Sequence, residues 1–522
     1  MRTPAASFLV VTAVLGAGSI ITAQHSPDLT KINPKFLMTV EDAQKLHAAK
    51  DAQGPALSGN ASWRNFVGII ETRLRAANAV GFVKNAWTFN RWSTTEFPDT
   101  SGWSLSSDGK PIKVASYGAN SGTTLPNGVT ADMVFVDLGV PGAAASLAKT
   151  DIAGKIVVFQ TVPETEKTPP AERIYEYPGD YMYLSTPETF PEPRAPTKVT
   201  RTVTMRAEMR QHSQQIPRLI DGKAAAAVFV FDASYDRLAG LYTFGVPANH
   251  QMPTLYVDRI AGRPLVADAK AGKRANLKLI GKIEPAETWQ LIAYLPGRNF
   301  NTPQDEQIMF TTHTDGPSIS QDDGGFGLLG VAEYFSKIPE KQRPRTLMFF
   351  FDNRHYMPGA ERAFAKENWL EQHPELWNKV VATIGMEHLG QLEFSEQGET
   401  FKPTGLVEHS RLHATNNDKL IELAIKAVKD NGLRRVTVEQ VDRPGIHGAS
   451  QGAWLGLGAV GRTRGLPAFA TMGDMGAYWG TSARLSRFDA KHFVDQVATM
   501  AQLTGELMVA DLAALKPAPR KQ

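Results

Sequence analysis

Three short apolar runs in the second half of the chain each end in polar residues. Each run is rich in aromatic or β-branched residues and is bounded by turn or charged residues, which is typical of a buried strand. In open α/β sheets, ligands bind outside the carboxyl ends of the strands. The pattern therefore predicts one site that is formed by three strand ends. The runs are IMFTTH, TLMFFFD and VVATIGME, which end at His313, Asp352 and Glu387.

The wider pattern predicts alternating strands and helices from residue 291 onward. An apolar helical pattern follows Asp322 and Asp323, which places both acids at a helix N-terminus, and a last helix starts near Asp489. Strands that alternate with helices are typical of an α/β fold. We expect a mixed, mostly parallel sheet with helices on both faces.

Nearer the N-terminus the pattern predicts two helices and then a long irregular stretch. The first helix covers 40–50, with Thr39 as its cap, and the second covers 64–84, where apolar residues share one face. The segment 88–130 is rich in Trp, Ser, Thr, Gly and Asp, which favours loops.

The middle of the chain predicts a β-rich domain inserted into the main one. Strand-like segments are DMVFVDLG, GKIVVFQT, AAAAVFVFD and MPTLYVD. A Pro-rich stretch at 163–197 carries several tyrosines and is too long for a plain connection, so we expect a covering loop there. The predicted division is an N-terminal part of the main domain at 24–119, an inserted domain at 120–290, and the rest of the main domain at 291–522.

The first residues combine a positive charge with an apolar run. Arg2 supplies the charge, residues 8–21 are apolar, and Ala23 ends a stretch of small residues. This order is typical of a secretory signal peptide, here over residues 1–23. The apolar run is shorter than the ~20 residues that a membrane-spanning helix needs. We therefore expect export to the periplasm or the medium, without stable membrane insertion.

Charge and cysteine content exclude several classes of function. The net charge is +3, from 56 basic and 53 acidic residues, so nothing favours nucleic acid as a partner. The absence of cysteine excludes a thiol nucleophile and a cysteine-based zinc site. The expected partner is a small-molecule or peptide substrate, and the oligomeric state stays open.

Histidine and carboxylate side chains near the strand ends form a candidate metal site. His313, Asp323 and Glu387 offer one imidazole and two carboxylates from three separate segments. That ligand set suits zinc or another divalent ion with open positions. The structural alternative is that acids at a helix N-terminus favour the helix dipole, and that polar residues after strands begin loops.

Three motifs resemble the M28 family of zinc aminopeptidases and carboxypeptidases. They are THTDGPSISQDDGGFG, FFFDNRHYMPGAERAF and IGMEHLG, and the resemblance covers residues 290–510. The segments GKIVVFQT, DGKAAAAVFVFD and MPTLYVD resemble the protease-associated domain that several members carry as an insertion. The resemblance implies an aminopeptidase-like fold whose main domain is catalytic. Such a resemblance supports an inference about the fold more strongly than one about the activity.

The resemblance assigns four residues to a zinc centre. His313 takes the place of the first zinc ligand, and Asp315 takes that of the carboxylate that orients this histidine. Asp323 takes the place of the bridging carboxylate, and Glu387 takes that of a later aspartate ligand.

Three positions depart from the family pattern. Arg354 stands where the general-base glutamate is expected, and a guanidinium cannot accept a proton. His355 replaces a glutamate ligand, and Trp479 replaces a late histidine ligand although indole has no lone pair for a metal. The catalytic candidates are Asp315, Arg354 and His355, and two outcomes follow. Either one divalent ion, zinc first, binds with a histidine as the base, or Arg354 pairs with Asp323 and Glu387 and no ion binds.

A second motif competes for the catalytic role. Residues 448–452 read G-x-S-x-G, with Ser450 as a nucleophile in a serine hydrolase and with His447 just before the motif. The non-catalytic alternative is that these residues form a Gly-rich loop at the rim of the substrate site. His388 follows Glu387 directly, so in a regular strand its side chain would point to the opposite face. The substrate-binding candidates are His388, His447, Ser450, Asp474, Tyr478 and Trp479.

The leading hypothesis is an exported M28-like hydrolase with a remodelled metal site. Its substrate would be an amide, a peptide or a related small polar molecule. The first alternative is a catalytically inactive protein that keeps the fold for binding. The second is a metal-independent serine hydrolase that uses Ser450.

Overall fold

The computed structural model describes only part of the chain. No helix in this part is long and apolar enough to span a bilayer. The predicted signal peptide at 1–23 and most of the Pro-rich stretch at 163–197 lie outside the described residues. The described residues are 27–147, 150–163, 181–184, 205–242, 250–357, 369–441, 454, 456–473 and 479–518.

Helices and strands alternate through much of the described chain. The helices are α1 (Val40–Asp51), α2 (Ala61–Ala76), α3 (Ala143–Ser146), α4 (Arg206–Asp221), α5 (Tyr235–Leu238), α6 (Arg259–Lys270), α7 (Gly324–Ser336), α8 (Trp369–Gln372), α9 (Asp418–Asp430), α10 (Ala459–Thr463) and α11 (Ala490–Val509). The strands are β1 (Val80–Ser93), β2 (Trp103–Ser107), β3 (Lys110–Ile112), β4 (Ser116–Tyr117), β5 (Val129–Asp137), β6 (Ile156–Gln160), β7 (Tyr181–Leu184), β8 (Ala226–Val230), β9 (Thr254–Val257), β10 (Arg274–Leu279), β11 (Lys282–Leu295), β12 (Gln307–His313), β13 (Thr346–Asp352), β14 (Val380–Glu387), β15 (Leu392–Gln397), β16 (Thr400–Val407), β17 (Ser410–Ala414), β18 (Val436–Gln440) and β19 (Ala468–Gly473).

The main sheet has the strand order β1-β11-β13-β12-β14-β19-β17-β18-β7. Neighbouring strands run parallel from β13 through β12 and β14 to β19, and from β17 through β18 to β7. They run antiparallel between β1 and β11, between β11 and β13, and between β17 and β19. The prediction of a mixed, mostly parallel sheet is confirmed.

Helices cover both faces of the main sheet. Phe310 and Phe349 face a core that they share with α1, α2, α7, α9 and α11. Met309 and Met348 face the other way, into a smaller core with Trp369 of α8. Because side chains alternate along a strand, neighbouring residues of β12 and β13 enter different cores. The predicted α/β class with helices on both faces is confirmed.

A second sheet has the strand order β3-β2-β10-β5-β6-β8-β9-β4. All of its strands lie in the chain between β1 and β11, which pair with each other in the main sheet. The four strands predicted within 120–290 are confirmed as β5, β6, β8 and β9, and pairing with β2 and β10 extends the sheet over 103–279. The division of the chain into domains, including the inserted domain, stays a prediction.

Two local predictions near the N-terminus are corrected. The predicted helix at 64–84 ends at Ala76, because Asn78 adopts a left-handed φ of 63° and β1 begins at Val80. The segment predicted as loops at 88–130 contains the end of β1 and all of β2 to β4. The stabilising partner of β1 is β11, which lies far along the chain, so a local pattern does not reveal the pairing.

Helix α7 packs very close to its neighbours. A Cβ atom at Gly324 would collide with the backbone oxygen of Met386, and one at Gly330 would lie 2.9 Å from Cγ1 of Val497 on α11. Only glycine permits so close an approach. The packing brings the residues just before α7 against the end of β14.

Candidate metal centre

The ends of β12, β13 and β14 lie side by side at one edge of the main sheet. His313 pairs in register with Asp352 across the parallel β12–β13 ladder, and β14, which ends at Glu387, flanks β12 on its other side. All three side chains are buried. The predicted meeting of these strand ends is confirmed.

A histidine pair and one glutamate form the metal-binding candidate. One ligand atom from each of His313, Glu387 and His388 lies within 4.8 Å of the other two, the one group of this kind among the described residues. His313 Nε2 lies 3.7 Å from Oε2 of Glu387. Zinc uses two imidazoles and one carboxylate together with an open fourth position. The donor set therefore fits a single divalent ion.

The orientation of His313 suits a metal ligand. Its Nδ1 lies 2.9 Å from the backbone oxygen of Asp315. A carbonyl oxygen only accepts hydrogen bonds, so Nδ1 carries the proton and Nε2 keeps its lone pair on the side of Glu387. The family resemblance implied that the Asp315 carboxylate orients this ring. The nearer contact is instead the Asp315 carbonyl, because Oδ1 of the carboxylate is 3.9 Å from Nδ1.

The Asp315 carboxylate fixes the loop after β13 against β12. It accepts hydrogen bonds from the Ser58 hydroxyl at 2.7 Å and from the backbone N–H groups of His355 at 3.2 Å and Tyr356 at 2.6 Å. Burial raises the pKa of Asp315 to about 6, although these donors favour the ionised form. The predicted catalytic residues Arg354 and His355 are therefore held in place partly through Asp315.

Backbone donors hold the Glu387 carboxylate. The Leu457 N–H donates to Oε1 at 2.5 Å, and the Gly458 N–H is a second donor. Burial raises the pKa of Glu387, and the electrostatic interaction with His313 and these two donors oppose that rise. Gly456 has a φ of +82°, and a Cβ atom there would collide with the carboxylate. The loop before α10 can close on Glu387 only because residue 456 is glycine.

We expect Gly456→Ala to lower the free energy of unfolding by about 2–5 kcal/mol. The left-handed φ costs alanine about 1–2 kcal/mol, and overpacking against the Glu387 carboxylate costs about 1–3 kcal/mol more. Gly432→Ala is the matched control, because Gly432 has a φ of +60° and open space around its Cα. Urea unfolding of both variants separates the two costs. Equal losses would show that the loop does not press on Glu387.

His388 joins this cluster because β14 stops one residue earlier. Its φ is 56°, in the left-handed region, so the alternation of side chains breaks off after Glu387. The prediction that His388 points to the opposite face is wrong for this reason. The His388 ring centroid lies 5.8 Å from that of His313, and its Nε2 lies 3.0 Å from Nε2 of Gln321.

Asp323 lies outside this cluster, although the sequence assigned it to the metal. Its Oδ1 accepts the Leu389 N–H at 2.9 Å, and its Oδ2 lies 3.3 Å from Nε2 of His47 on α1. The His47 ring stacks on Phe488 with a centroid separation of 3.7 Å. Burial raises the pKa of Asp323 well above its usual value and lowers that of His47 to about 3. Burial therefore disfavours the charged form of both side chains, and Asp323 is engaged away from the site.

Asp322 is paired with a lysine from the same helix as His47. The Lys50 ammonium lies 2.6 Å from Asp322 Oδ1 and donates to the backbone oxygens of Ser318 at 3.0 Å and Ile319 at 3.3 Å. Both charged side chains are buried. Burial raises the pKa of Asp322 to about 7, and the charge of Lys50 opposes that rise.

Arg354 pairs with Asp352, the last residue of β13, which lies two positions before it. Its Nε and Nη2 donate to the two oxygens of Asp352 at 2.9 and 2.7 Å. Burial alone would raise the pKa of Asp352, but Arg354 and the Gln290 amide lower it overall. The predicted pairing of Arg354 with Asp323 and Glu387 is therefore corrected. A bidentate partner two residues away is closer than either of those acids.

His355 lies beside the cluster without belonging to it. Its ring centroid is 4.4 Å from that of His313, at an interplanar angle of 30°. The side chain is partly exposed, unlike those of His313 and His388. Among the described histidines of this region, it is therefore the one that solvent can reach.

Trp479 belongs to the core of the second sheet. It is buried in the cluster that contains Phe159 and Phe229, and its backbone oxygen accepts the Tyr242 N–H at 2.9 Å. The predicted role as a substrate wall does not fit this placement, because apolar core residues already surround the ring. The other predicted rim residues lie outside the described residues, and they are His447, Ser450, Asp474 and Tyr478.

Three polar residues near the strand ends were not predicted from the sequence to lie there. His47 and Lys50 lie with Ala43 and Leu46 on the buried face of α1. Polar residues at those helical positions were the signal that could have revealed them. Gln321 gave no such signal, because only the path of the loop before α7 brings it to His388.

The sequence matches no protein-family model and no curated protein. Solved structures share its fold. An aminopeptidase from Aneurinibacillus sp. strain AM-1 is 13% identical with a TM-score of 0.53, over 93% of this chain and 98% of that one. BSAP, a zinc aminopeptidase from Bacillus subtilis, is 12% identical with a TM-score of 0.54, over 92% and 99%. A peptidase M28 precursor from Shewanella amazonensis SB2B is 14% identical with a TM-score of 0.56, over 92% and 99%. At these identities the likeness shows the fold, which is aminopeptidase-like.

Proposed function

We propose that this protein is an exported hydrolase that acts on an amide, a peptide or a related small polar substrate. The hydrolase would use one divalent ion, for which zinc is the first candidate. The observation that carries the proposal is the cluster of His313, Glu387 and His388 at the strand ends. The fold that it shares with two aminopeptidases, one of them described as a zinc enzyme, supports the same proposal. The export step rests on the signal-like residues 1–23, and the second sheet is proposed to be a protease-associated domain.

The three cluster residues would hold the ion. His313 offers Nε2 because its Nδ1 proton is taken by the Asp315 carbonyl, and Glu387 offers a carboxylate that two backbone N–H groups already orient. A divalent ion in such a site acts as a Lewis acid and lowers the pKa of bound water.

The proton acceptor of the reaction is proposed to be His355. Arg354 stands beside it, but a guanidinium stays protonated and cannot take a proton from water. An imidazole titrates near neutral pH and can serve as a general base. The partly exposed ring of His355 lies against His313, which places it next to the reacting groups.

The centre is proposed to hold one ion rather than two. Two of the acids near it are already engaged by residues of α1, since Lys50 pairs with Asp322 and Nε2 of His47 lies 3.3 Å from Oδ2 of Asp323. An acid whose charge is paired within the protein or disfavoured by burial contributes little to a second cation site. A mononuclear centre then accounts for the loss of the family's remaining ligands.

The alternative of a non-catalytic binding protein has its own support. Glu387 is already satisfied in part by backbone donors, and Arg354 occupies the position of the family's base. Such a protein would keep the fold and lack turnover. The serine-hydrolase alternative rests on Ser450, which lies outside the described residues.

Metal analysis combined with a hydrolysis screen tests the proposal. We expect the purified full-length protein to retain close to one zinc ion per chain. We also expect it to cleave members of a panel of aminoacyl anilides, dipeptides and simple amides, and a chelator should abolish that cleavage. Protein that stays free of metal after dialysis against zinc would overturn the metal centre.

Two further outcomes separate the alternatives. Stoichiometric zinc without turnover of any panel member would support the binding protein. Turnover that survives the chelator and is lost in Ser450→Ala would support the serine hydrolase. His355→Gln should lower kcat and remove the lower pH limb of the kcat profile while zinc content stays unchanged.

A further inference from the structure

The side chain of Gln321 is fixed between a tight loop and His388. Its Cβ and Cγ atoms are packed against Gly316, and its backbone N–H donates to the Ser318 hydroxyl at 3.1 Å. The side chain is 1% exposed, and its Nε2 lies 3.0 Å from Nε2 of His388. The amide therefore has little freedom to leave the imidazole.

One end of this amide determines the state of the histidine. An amide nitrogen only donates, so in the observed orientation Nε2 of His388 accepts. The neutral ring then carries its proton on Nδ1 and has no lone pair left for an ion. If the amide turned over, its oxygen would accept a hydrogen bond from Nε2, and the lone pair would then be on Nδ1, where an ion can bind it.

The amide oxygen of Gln321 is buried and has no hydrogen-bond partner among the described residues. An unsatisfied buried oxygen costs about 1–3 kcal/mol. Turning the amide over would give that oxygen a partner, at the cost of leaving the amide nitrogen without one. Each orientation therefore leaves one polar atom of the amide without a partner, and a bound ion can decide which orientation is kept.

We propose that Gln321 is a positioning residue that controls whether His388 can bind a metal ion. The proposal rests on the proposed metal centre and adds a controlling residue to it. In the observed orientation the amide holds His388 in the tautomer that does not bind. Metal loading requires the reversed amide, whose oxygen accepts from Nε2. Hydrogen bonds to the second nitrogen of a ligating histidine change metal affinity about 10- to 100-fold.

Substitution of Gln321 by glutamate is the direct test. A carboxylate only accepts, so Gln321→Glu should hold His388 in the tautomer with its lone pair on Nδ1 and raise zinc affinity about 10- to 100-fold. Gln321→Met has a similar length, cannot donate, and accepts only weakly through its sulfur. It should give an affinity between those of the wild type and the glutamate variant. Competition with a zinc-binding dye measures all three without any use of activity.

A double-mutant cycle with His388→Ala separates this effect from added negative charge. If Gln321 acts through His388, the gain from glutamate disappears in the His388→Ala background. A gain that persists there would overturn the proposal, because the new carboxylate would then act by charge or as a ligand itself. An unchanged affinity in Gln321→Glu would also overturn it.

The same titrations keep this proposal apart from the proposed function. The wild type could bind zinc with an affinity that does not change when Gln321 is substituted. That result would support the metal centre and overturn the role of Gln321. The wild type could fail to bind zinc while Gln321→Glu binds it in a way that depends on His388. That result would support the control by Gln321 and would overturn the proposed metal-dependent hydrolase. Absence of binding in both overturns the two together.

Discussion

Replacing Lys50 by methionine is expected to lower the free energy of unfolding by about 3–5 kcal/mol at pH 8. Lys50 and Asp322 form an ion pair at 2.6 Å in which both side chains are buried. Removing the ammonium leaves the Asp322 carboxylate without its compensating charge in an apolar interior. It also removes two hydrogen bonds to the loop before α7.

The loss should be smaller at low pH, because Asp322 can take up a proton. Burial raises the pKa of Asp322 to about 7 from its ordinary 3.8, so the folded state holds that proton more tightly than the unfolded chain. Ionisation of Asp322 therefore opposes folding progressively as the pH rises from 3.8 through 7. Removing the Lys50 charge raises this pKa further. We expect the Lys50→Met loss at pH 5 to be well below the loss at pH 8.

The double variant Lys50→Met/Asp322→Leu is the control for this effect. Replacing both members of a buried pair by apolar residues is often neutral, so the double variant should recover most of the loss. It should also show no difference between pH 5 and pH 8. Urea unfolding at the two pH values measures all variants. A single variant whose loss is the same at both would contradict the buried pairing.

Replacing His313 by alanine is expected to lower zinc affinity at least about 100-fold and to abolish chelator-sensitive hydrolysis. His313 supplies the imidazole whose Nε2 faces Glu387 at 3.7 Å, and alanine leaves one histidine and one carboxylate. Isothermal titration with zinc measures the affinity. The affinity of the wild type should fall as the pH drops, because the ligands must lose their protons to bind an ion.

His212→Ala is the matched control for the loss of a buried imidazole. His212 is fully buried on α4, where its Nδ1 lies 3.0 Å from the Tyr256 hydroxyl oxygen of β9 in the second sheet. This variant should keep its zinc affinity within about twofold, even if its stability falls. Equal losses of affinity in the two variants would mean that general destabilisation, rather than a lost ligand, explains the effect.

The strand-end pattern predicted the position of the site, and it did so for a physical reason. Strands buried on both faces are apolar along their whole length, so a polar residue at the end of a run marks where the strand leaves the core. This signal gave the ends of β12, β13 and β14 at His313, Asp352 and Glu387. Parallel pairing then placed the three ends at one edge.

The choice among polar residues near that edge could not be predicted in the same way. Asp323 and His388 each lie next to a strand end or a helix start, and both are plausible ligands by type. A left-handed φ at His388 brings its ring into the cluster, whereas contact with His47 draws Asp323 away from it. Neither the single backbone angle nor the position of α1 is encoded in a local pattern.

The sequence by itself determined the α/β class, the buried strands and the edge at which their polar ends meet. Those features follow from hydrophobic periodicity, which acts over a few residues. Only the tertiary structure decided which side chains share the site, because that depends on contacts between distant segments. Lys50 reaches Asp322, Arg354 turns to Asp352, and Gln321 meets His388 through packing between elements. The charge of each group, and therefore its chemistry, was set by those contacts.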